Sequence, residues 1–104
     1  MKKLQDKVAI ITGGAGGIGL ATARLFLEHG AKVMLVDLYE DNLKEAAAIL
    51  NSANVAYVAG DVSKRKDVEN YTKATLAAFG KIDVFFSNAG IEGVTAPIAE
   101  YPDD

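Results

Sequence analysis

Four short apolar runs that do not alternate with polar residues constrain this chain more than any other feature. They are Val8-Ala9-Ile10-Ile11, Lys32-Val33-Met34-Leu35-Val36, Val55-Ala56-Tyr57-Val58 and Ile82-Asp83-Val84-Phe85-Phe86. A strand with one wet face alternates in hydropathy with period two, whereas a strand covered on both faces does not. Short runs rich in β-branched and aromatic residues therefore read as strands buried between two layers.

Helical patterns fill the gaps. Between the first two runs, Ile18, Ala21, Leu25 and Leu27 lie on a helix-length stretch that stops at His29-Gly30, with Gly30 as the left-handed residue after the helix. His29, at that C-terminus, is assigned to the helix dipole or solvent rather than to chemistry. A second helix is predicted from Glu40 to Leu50, with Leu43, Ala46, Ala47 and Leu50 at three- and four-residue spacing. A third begins after Ser63, read as its N-cap, carries Val68, Tyr71, Thr75, Leu76 and Phe79, and stops at Gly80. The tail from Glu92 to Asp104 contains Pro97 and Pro102 and shows no clear element.

The order is therefore βαβαβαβ, which implies an α/β fold with a parallel sheet. Right-handed crossovers allow the first three strands to step one way and the fourth to return beside the first, giving the order 3-2-1-4. Ligands in such doubly wound sheets bind beyond the carboxyl ends of the strands, at the switch point between strands one and four.

Composition narrows the function classes. Eleven Lys and Arg face 14 Asp and Glu, a formal charge of −3 that lacks the basic footprint of a nucleic-acid binder. With no cysteine and one histidine, neither a disulfide framework nor a zinc site can be built, and no metal ligand is assigned. No apolar run approaches the roughly 20 residues needed to cross a bilayer, so no membrane role is assigned, and the expected compartment is the cytoplasm.

Chemistry points to the loop after the first strand. Five glycines fall in Thr12-Gly13-Gly14-Ala15-Gly16-Gly17-Ile18-Gly19, which opens the first helix. A backbone this free of Cβ atoms lets a phosphate approach its N–H groups, and the helix N-terminus adds about half a positive charge. Two registers are open, Gly14-x-Gly16-x-x-Gly19 and Gly13-x-x-x-Gly17-x-Gly19. The Gly-Lys-Ser/Thr ending of a nucleoside-triphosphate loop is absent, so a dinucleotide fits better. Asp37 closes the second strand 18 residues after Gly19, near the spacing of about 20 expected of a ribose-binding carboxylate; it is equally placed to cap the next helix. Asp61-Val62 follows strand three, where the carboxylate would accept from an adenine amino group and Val62 would pack on the ring, or where Asp61 caps a turn. Asn88-Ala89-Gly90 follows strand four, either bridging strand ends and admitting a ribose or forming a plain turn.

Together these residues resemble the short-chain dehydrogenase/reductase family. The matching motifs are Thr12-Gly13-x-x-x-Gly17-Ile18-Gly19, Asp37, Asp61-Val62 and Ser87-Asn88-Ala89-Gly90, in the family's order from about Leu4 to Gly90. Ser87 departs from the second Asn of many members. The resemblance selects the Gly13/Gly17/Gly19 register and implies a Rossmann-type domain that binds NAD, with cofactor-binding residues Gly13, Gly16, Gly17, Ile18, Gly19, Asp37 and Leu38. Asp61, Val62, Asn88, Ala89 and Gly90 complete that set. It further implies hydride transfer between the cofactor and an alcohol or carbonyl substrate, in a complete protein that is a homo-oligomer. The family's domain is longer, so residues 1–104 correspond to the N-terminal, dinucleotide-binding part of one domain whose catalytic part lies beyond them. The family's catalytic Tyr-x-x-x-Lys is not found: Tyr39, Tyr57 and Tyr71 are followed four residues later by Leu43, Asp61 and Thr75. No residue here is assigned as catalytic. Two other classes remain: a nucleotide-binding or interaction module without catalysis, and an S-adenosylmethionine-dependent methyltransferase, which also has a Gly-rich loop and an acid after strand two. Thr12-Gly13 and Asn88-Ala89-Gly90 favour the dehydrogenase. In the 104-residue chain, Val84-Phe85-Phe86 is expected to form an unpaired apolar edge prone to self-association.

With Tyr and Lys both missing, the purified 104-residue chain is expected to show no NAD-dependent alcohol oxidation above background. A mass-verified preparation that reduces NAD with alcohols would refute this.

Overall fold

A computed structural model describes residues 4–87 and the backbone of residues 98–100. The missing alternation in the apolar runs has its physical counterpart at the centre of the sheet. Strand β1 (Val8–Thr12) is buried at every residue. On one side it pairs in parallel with β2 (Lys32–Asp37), and on the other with β4 (Val84–Ser87). Strand β3 (Val55–Ala59) runs parallel to β2 on its outer side. Each strand extends one residue past the expected carboxyl end, because Thr12, Asp37, Ala59 and Ser87 continue the ladder as polar or small residues.

The order 3-2-1-4 is as expected from the crossovers, and a fifth strand extends it. Strand β5 (Ile98–Glu100) pairs antiparallel with β4, matching Ser87 with Ile98, Phe86 with Ala99 and Phe85 with Glu100. Two expectations are thereby corrected. The tail contains an element, and the outer edge of β4 is paired rather than bare. The unpaired N–H and C=O groups of an edge strand favour any segment able to complete the ladder, and three residues are too few to register as a pattern.

Parity along the strands divides the core. Ile11, Val33 and Leu35 point to one face, where helices α1 (Gly17–Glu28) and α2 (Glu40–Leu50) cover them with Ala23, Leu43 and Ala46. Ile10, Met34 and Val36 point to the other, where α3 (Arg65–Phe79) covers them with Tyr71, whose ring meets Phe85 edge-to-face at 6.1 Å. Burying one such Leu or Ile side chain contributes about 1.5–3 kcal/mol.

The predicted face of α2 is correct, with Leu43 and Ala46 buried. That of α3 is correct except at Leu76, which is exposed. Of the apolar residues that mark α1, Leu27 packs against the core but not all of the others do. Ile18 and Leu25 are 63% and 52% exposed, while Gly19 and Ala23 are buried against the sheet. Close approach explains Gly19, where a Cβ would lie 2.1 Å from the Gly13 carbonyl oxygen, while Leu20, Phe26 and Leu27 pack on the core farther along the helix. Gly30 and Gly80 take the expected left-handed conformation after α1 and α3 (φ 94° and 86°), which a Cβ would disfavour. His29 stands at the C-cap of α1, the position expected of it. The N-terminal segment folds over this helix end, Leu4 N–H donating to the His29 carbonyl at 2.8 Å. The ring Nδ1 of His29 is buried, with no hydrogen-bond partner among the described residues.

Asp83 secures the amino end of the sheet. Its Oδ2 accepts from the Val8 N–H at 2.9 Å, and its own N–H donates to the Val8 carbonyl at 2.8 Å. Lys81 Nζ lies 3.2 Å from the same carboxylate oxygen. Burial raises the Asp83 carboxyl pKa, but the Val8 N–H and Lys81 outweigh it and hold the group below its ordinary value of 3.8. A depressed folded-state pKa means that this stabilisation is fully present above 3.8 and is lost as pH falls further, through the folded-state value. Asp83→Ala, which strands the buried Val8 N–H, is expected to cost about 1–2 kcal/mol at neutral pH. In urea titrations the gap between wild type and variant should stay constant down to 3.8 and narrow below it; a gap unchanged in acid would show that the charge contributes nothing.

Candidate functional site

The carboxyl ends of β1, β2 and β3 gather most of the singled-out residues into one mouth. At the end of β1, Gly13 turns the chain with φ 67°, and Gly16 N–H donates back to the Gly13 carbonyl at 3.1 Å. Helix α1 then begins with Gly16 as an extended N-cap that offers no side-chain acceptor, and its first turn holds no acidic residue. The first helical bond is Leu20 N–H to the Gly16 carbonyl at 2.8 Å. The N–H groups of Gly17, Ile18 and Gly19 therefore project from the helix N-terminus with no partner among the described residues. Three free donors on a positive helix end form an anion-binding concavity.

The glycines serve separate ends. A Cβ on Gly19 would lie 2.1 Å from the Gly13 carbonyl oxygen, so Gly19 is what lets α1 approach the turn. A Cβ on Gly14 would lie 2.9 Å from Leu35 Cβ, so Gly14 lets the loop rest on β2. A Cβ on Gly17 would meet nothing within 4 Å beyond its chain neighbours and its own helix backbone, and would occupy open space. Both sequence registers thus contained a sterically required glycine. Gly14, outside the register selected by family resemblance, is more closely packed than Gly16 or Gly17.

Asp37 stands beside this loop. Its Oδ2 accepts from the Ala15 N–H at 3.0 Å and its Oδ1 from the Leu38 N–H at 2.8 Å. The helix-cap alternative for Asp37 is corrected: α2 has Tyr39 at its N-cap and no side-chain cap bond. Leu38 and Tyr39 follow as exposed apolar residues, 54% and 64% accessible, and Ile18 is similarly open.

At the end of β3, Asp61 makes the turn that was one of its two readings. Its Oδ1 accepts from the Ser63 N–H at 2.9 Å and the Ser63 hydroxyl at 2.6 Å. The Ser63 hydroxyl and amide hold the Asp61 carboxyl below its ordinary value; burial opposes them and Lys64 adds a lesser lowering. Ser63 is accordingly not the N-cap of α3. Lys64 takes that position, because the Ser63 hydroxyl is committed to Asp61. Val62 packs on the α3 side of the core. One residue was missed: Asp67 Oδ2 accepts from the Asp61 N–H at 2.9 Å and so holds the turn from the first turn of α3. A carboxylate in a helix's first turn, six residues after the turn it serves, was the available signal.

Asn88, Ala89 and Gly90 lie outside the described residues. Strand β4 brings the chain toward them beside the loop, with the Thr12 hydroxyl 3.4 Å from the Phe86 carbonyl.

Comparison with known proteins agrees with this fold. The family model described as short chain dehydrogenase matches residues 7–104. Tropinone reductase-like 1 of Erythroxylum coca is 48% identical over 99 residues, covering 94% of this chain and 36% of that protein. The crystal structure of levodione reductase superposes with a TM-score of 0.81 at 43% identity, covering 88% of this chain and 37% of that one. A 3-ketoacyl-(acyl-carrier-protein) reductase from Brucella melitensis, solved in complex with NADH, gives a TM-score of 0.76 at 37% identity over 80% of this chain and 34% of its own. The chain thus spans about a third of the length of the relatives it matches. These matches remove the methyltransferase alternative.

Gly17 and Gly19 should respond oppositely to alanine. Gly19→Ala is expected to lower the melting temperature, since its Cβ must displace main chain and overpacking costs about 1–3 kcal/mol. Gly17→Ala should leave stability unchanged or raise it slightly, yet weaken nucleotide binding at least tenfold by filling that open space. Calorimetric melting and titration of both variants decide the matter; full affinity in Gly17→Ala would place the ligand elsewhere.

Proposed function

The chain belongs to the short chain dehydrogenase family, and from that premise we propose that it forms the NAD(H)-binding part of an oxidoreductase acting on an alcohol or carbonyl substrate. The observation that carries the reading is the pairing of three free N–H donors at the start of α1 with the Asp37 carboxylate beside them. The donors fit a diphosphate, and the open space at Gly17 leaves room for it to approach. In this reading the N–H groups of Gly17, Ile18 and Gly19 hold the diphosphate, with Gly13 and Gly16 shaping the turn. Asp37 accepts from the hydroxyls of the adenosine ribose. Leu38 and Val62 flank the adenine, and Asp61 Oδ2 accepts from its amino group. Asn88, Ala89 and Gly90 belong at the switch point beside the ribose of the nicotinamide half.

Bound in this way, the nicotinamide would supply the hydride acceptor or donor of the reaction. The residues present here bind and orient it; no Tyr-x-x-x-Lys acid/base pair occurs among them. The 104 residues are read as the N-terminal part of a single domain, whose complete form is a cytoplasmic homo-oligomer. Preference for NAD follows from charge. In NADP the ribose 2′ position bears a phosphate of charge near −2 that would face the Asp37 carboxylate, and unit charges 4 Å apart repel by about 1 kcal/mol in water and about 4 at an effective dielectric of 20. The phosphate also replaces the hydroxyl donor that Asp37 would accept from. Titration calorimetry is expected to show NAD binding about a hundredfold tighter than NADP. Equal affinities would remove Asp37 from the ribose site.

A further inference from the structure

We infer that Asp37 is also the side-chain strut that orders the glycine loop, so that one carboxylate couples ribose recognition to phosphate binding. This rests on the nucleotide-site reading above and adds a positioning role to it. Two successive loop amides are tied to the end of β2. Gly14 N–H donates to the Val36 carbonyl at 3.1 Å, and Ala15 N–H donates to Asp37 Oδ2 at 3.0 Å. The first tie is main chain to main chain and survives any substitution at 37. The second depends wholly on the Asp37 side chain.

The position of the tie gives it consequence. Ala15 immediately precedes Gly16, the uncapped N-cap of α1, so the amide that Asp37 holds lies two residues before the first free donor, Gly17. Releasing it frees the loop between Gly14 and Gly16, where no other side chain among the described residues bonds the main chain. Asp37 can serve both ends at once. A carboxylate offers about four acceptor sites, and the Ala15 and Leu38 N–H groups use one on each oxygen. A further site on each oxygen is left for the two ribose hydroxyls.

A residue that only reads ribose and a residue that also braces the loop differ in one measurable respect. The probes are ADP and 2′,3′-dideoxy-ADP, which both carry the diphosphate, while the second lacks the hydroxyls Asp37 would accept from. Calorimetric titration of the 104-residue chain should show Asp37→Ala weakening both probes, and the dideoxy probe by about fivefold or more. Asp37→Asn, which keeps one carbonyl acceptor, should fall between wild type and Asp37→Ala for the dideoxy probe and covers the case that Asp37→Ala fails to fold. Amide hydrogen exchange provides a local readout: in Asp37→Ala the Ala15 amide should lose protection about tenfold, and in Asp37→Asn by less, while the Gly14 amide, bonded to Val36, keeps its own. Loss of ADP affinity with the dideoxy probe unchanged within about twofold would overturn the strut, leaving a ribose reader alone; so would unchanged exchange at Ala15. Failure of wild type to bind either probe would instead defeat the nucleotide reading itself, and the strut with it.

Discussion

Strand β1 is buried at all five of its residues, and the architecture follows from what that requires. A strand with no wet face and no free edge must have a partner on each side and a layer above and below. Its partners, β2 and β4, both run parallel to it, so the connections must cross over as helices rather than turn back as hairpins. The reversal between the β1–β2–β3 side and the β4 side opens the crevice at the carboxyl ends, where the glycine loop emerges. The site is thus a by-product of burying one strand.

The described residues repeat one device where ladders stop. A strand or turn leaves a main-chain N–H that the sheet cannot pair, and a buried or half-buried N–H without an acceptor is costly. Three aspartates supply the acceptor. Asp83 takes the Val8 N–H at the start of β1, Asp37 takes the Ala15 N–H after it, and Asp67 takes the Asp61 N–H after β3. Asp suits this work because its carboxylate is close to its own main chain and ionised, giving a short, charge-assisted bond with little side-chain entropy to lose. Only Asp83 lies at the amino ends of the strands. The other two lie at the mouth, where a carboxylate bracing main chain also remains available to a ligand.

Much of this was legible in the chain itself. The strands, the three helices, the order 3-2-1-4 and the clustering of Gly13–Gly19, Asp37 and Asp61 at one mouth follow from hydropathy, spacing and handedness, all properties of neighbours in sequence. Packing along α1 was less legible. Ile18, Ala21, Leu25 and Leu27 marked the helical stretch, yet Ile18 and Leu25 are exposed while the small Gly19 and Ala23 are buried. Hydropathy can be read from a sequence, but the clearance between a helix and the turn beneath it cannot.

The sequence by itself determined the layers and the strand order, because burial and chain crossover leave few alternatives. Only the tertiary structure decided what each polar group holds. Asp37 turned out to grip the glycine loop instead of capping α2, Ser63 to serve Asp61 instead of α3, and β5 to close an edge expected to be bare. The physical reason is that a hydrogen bond forms with whichever unpaired group lies within about 3 Å. For Asp37 that group is 22 residues away along the chain, and only folding makes them neighbours.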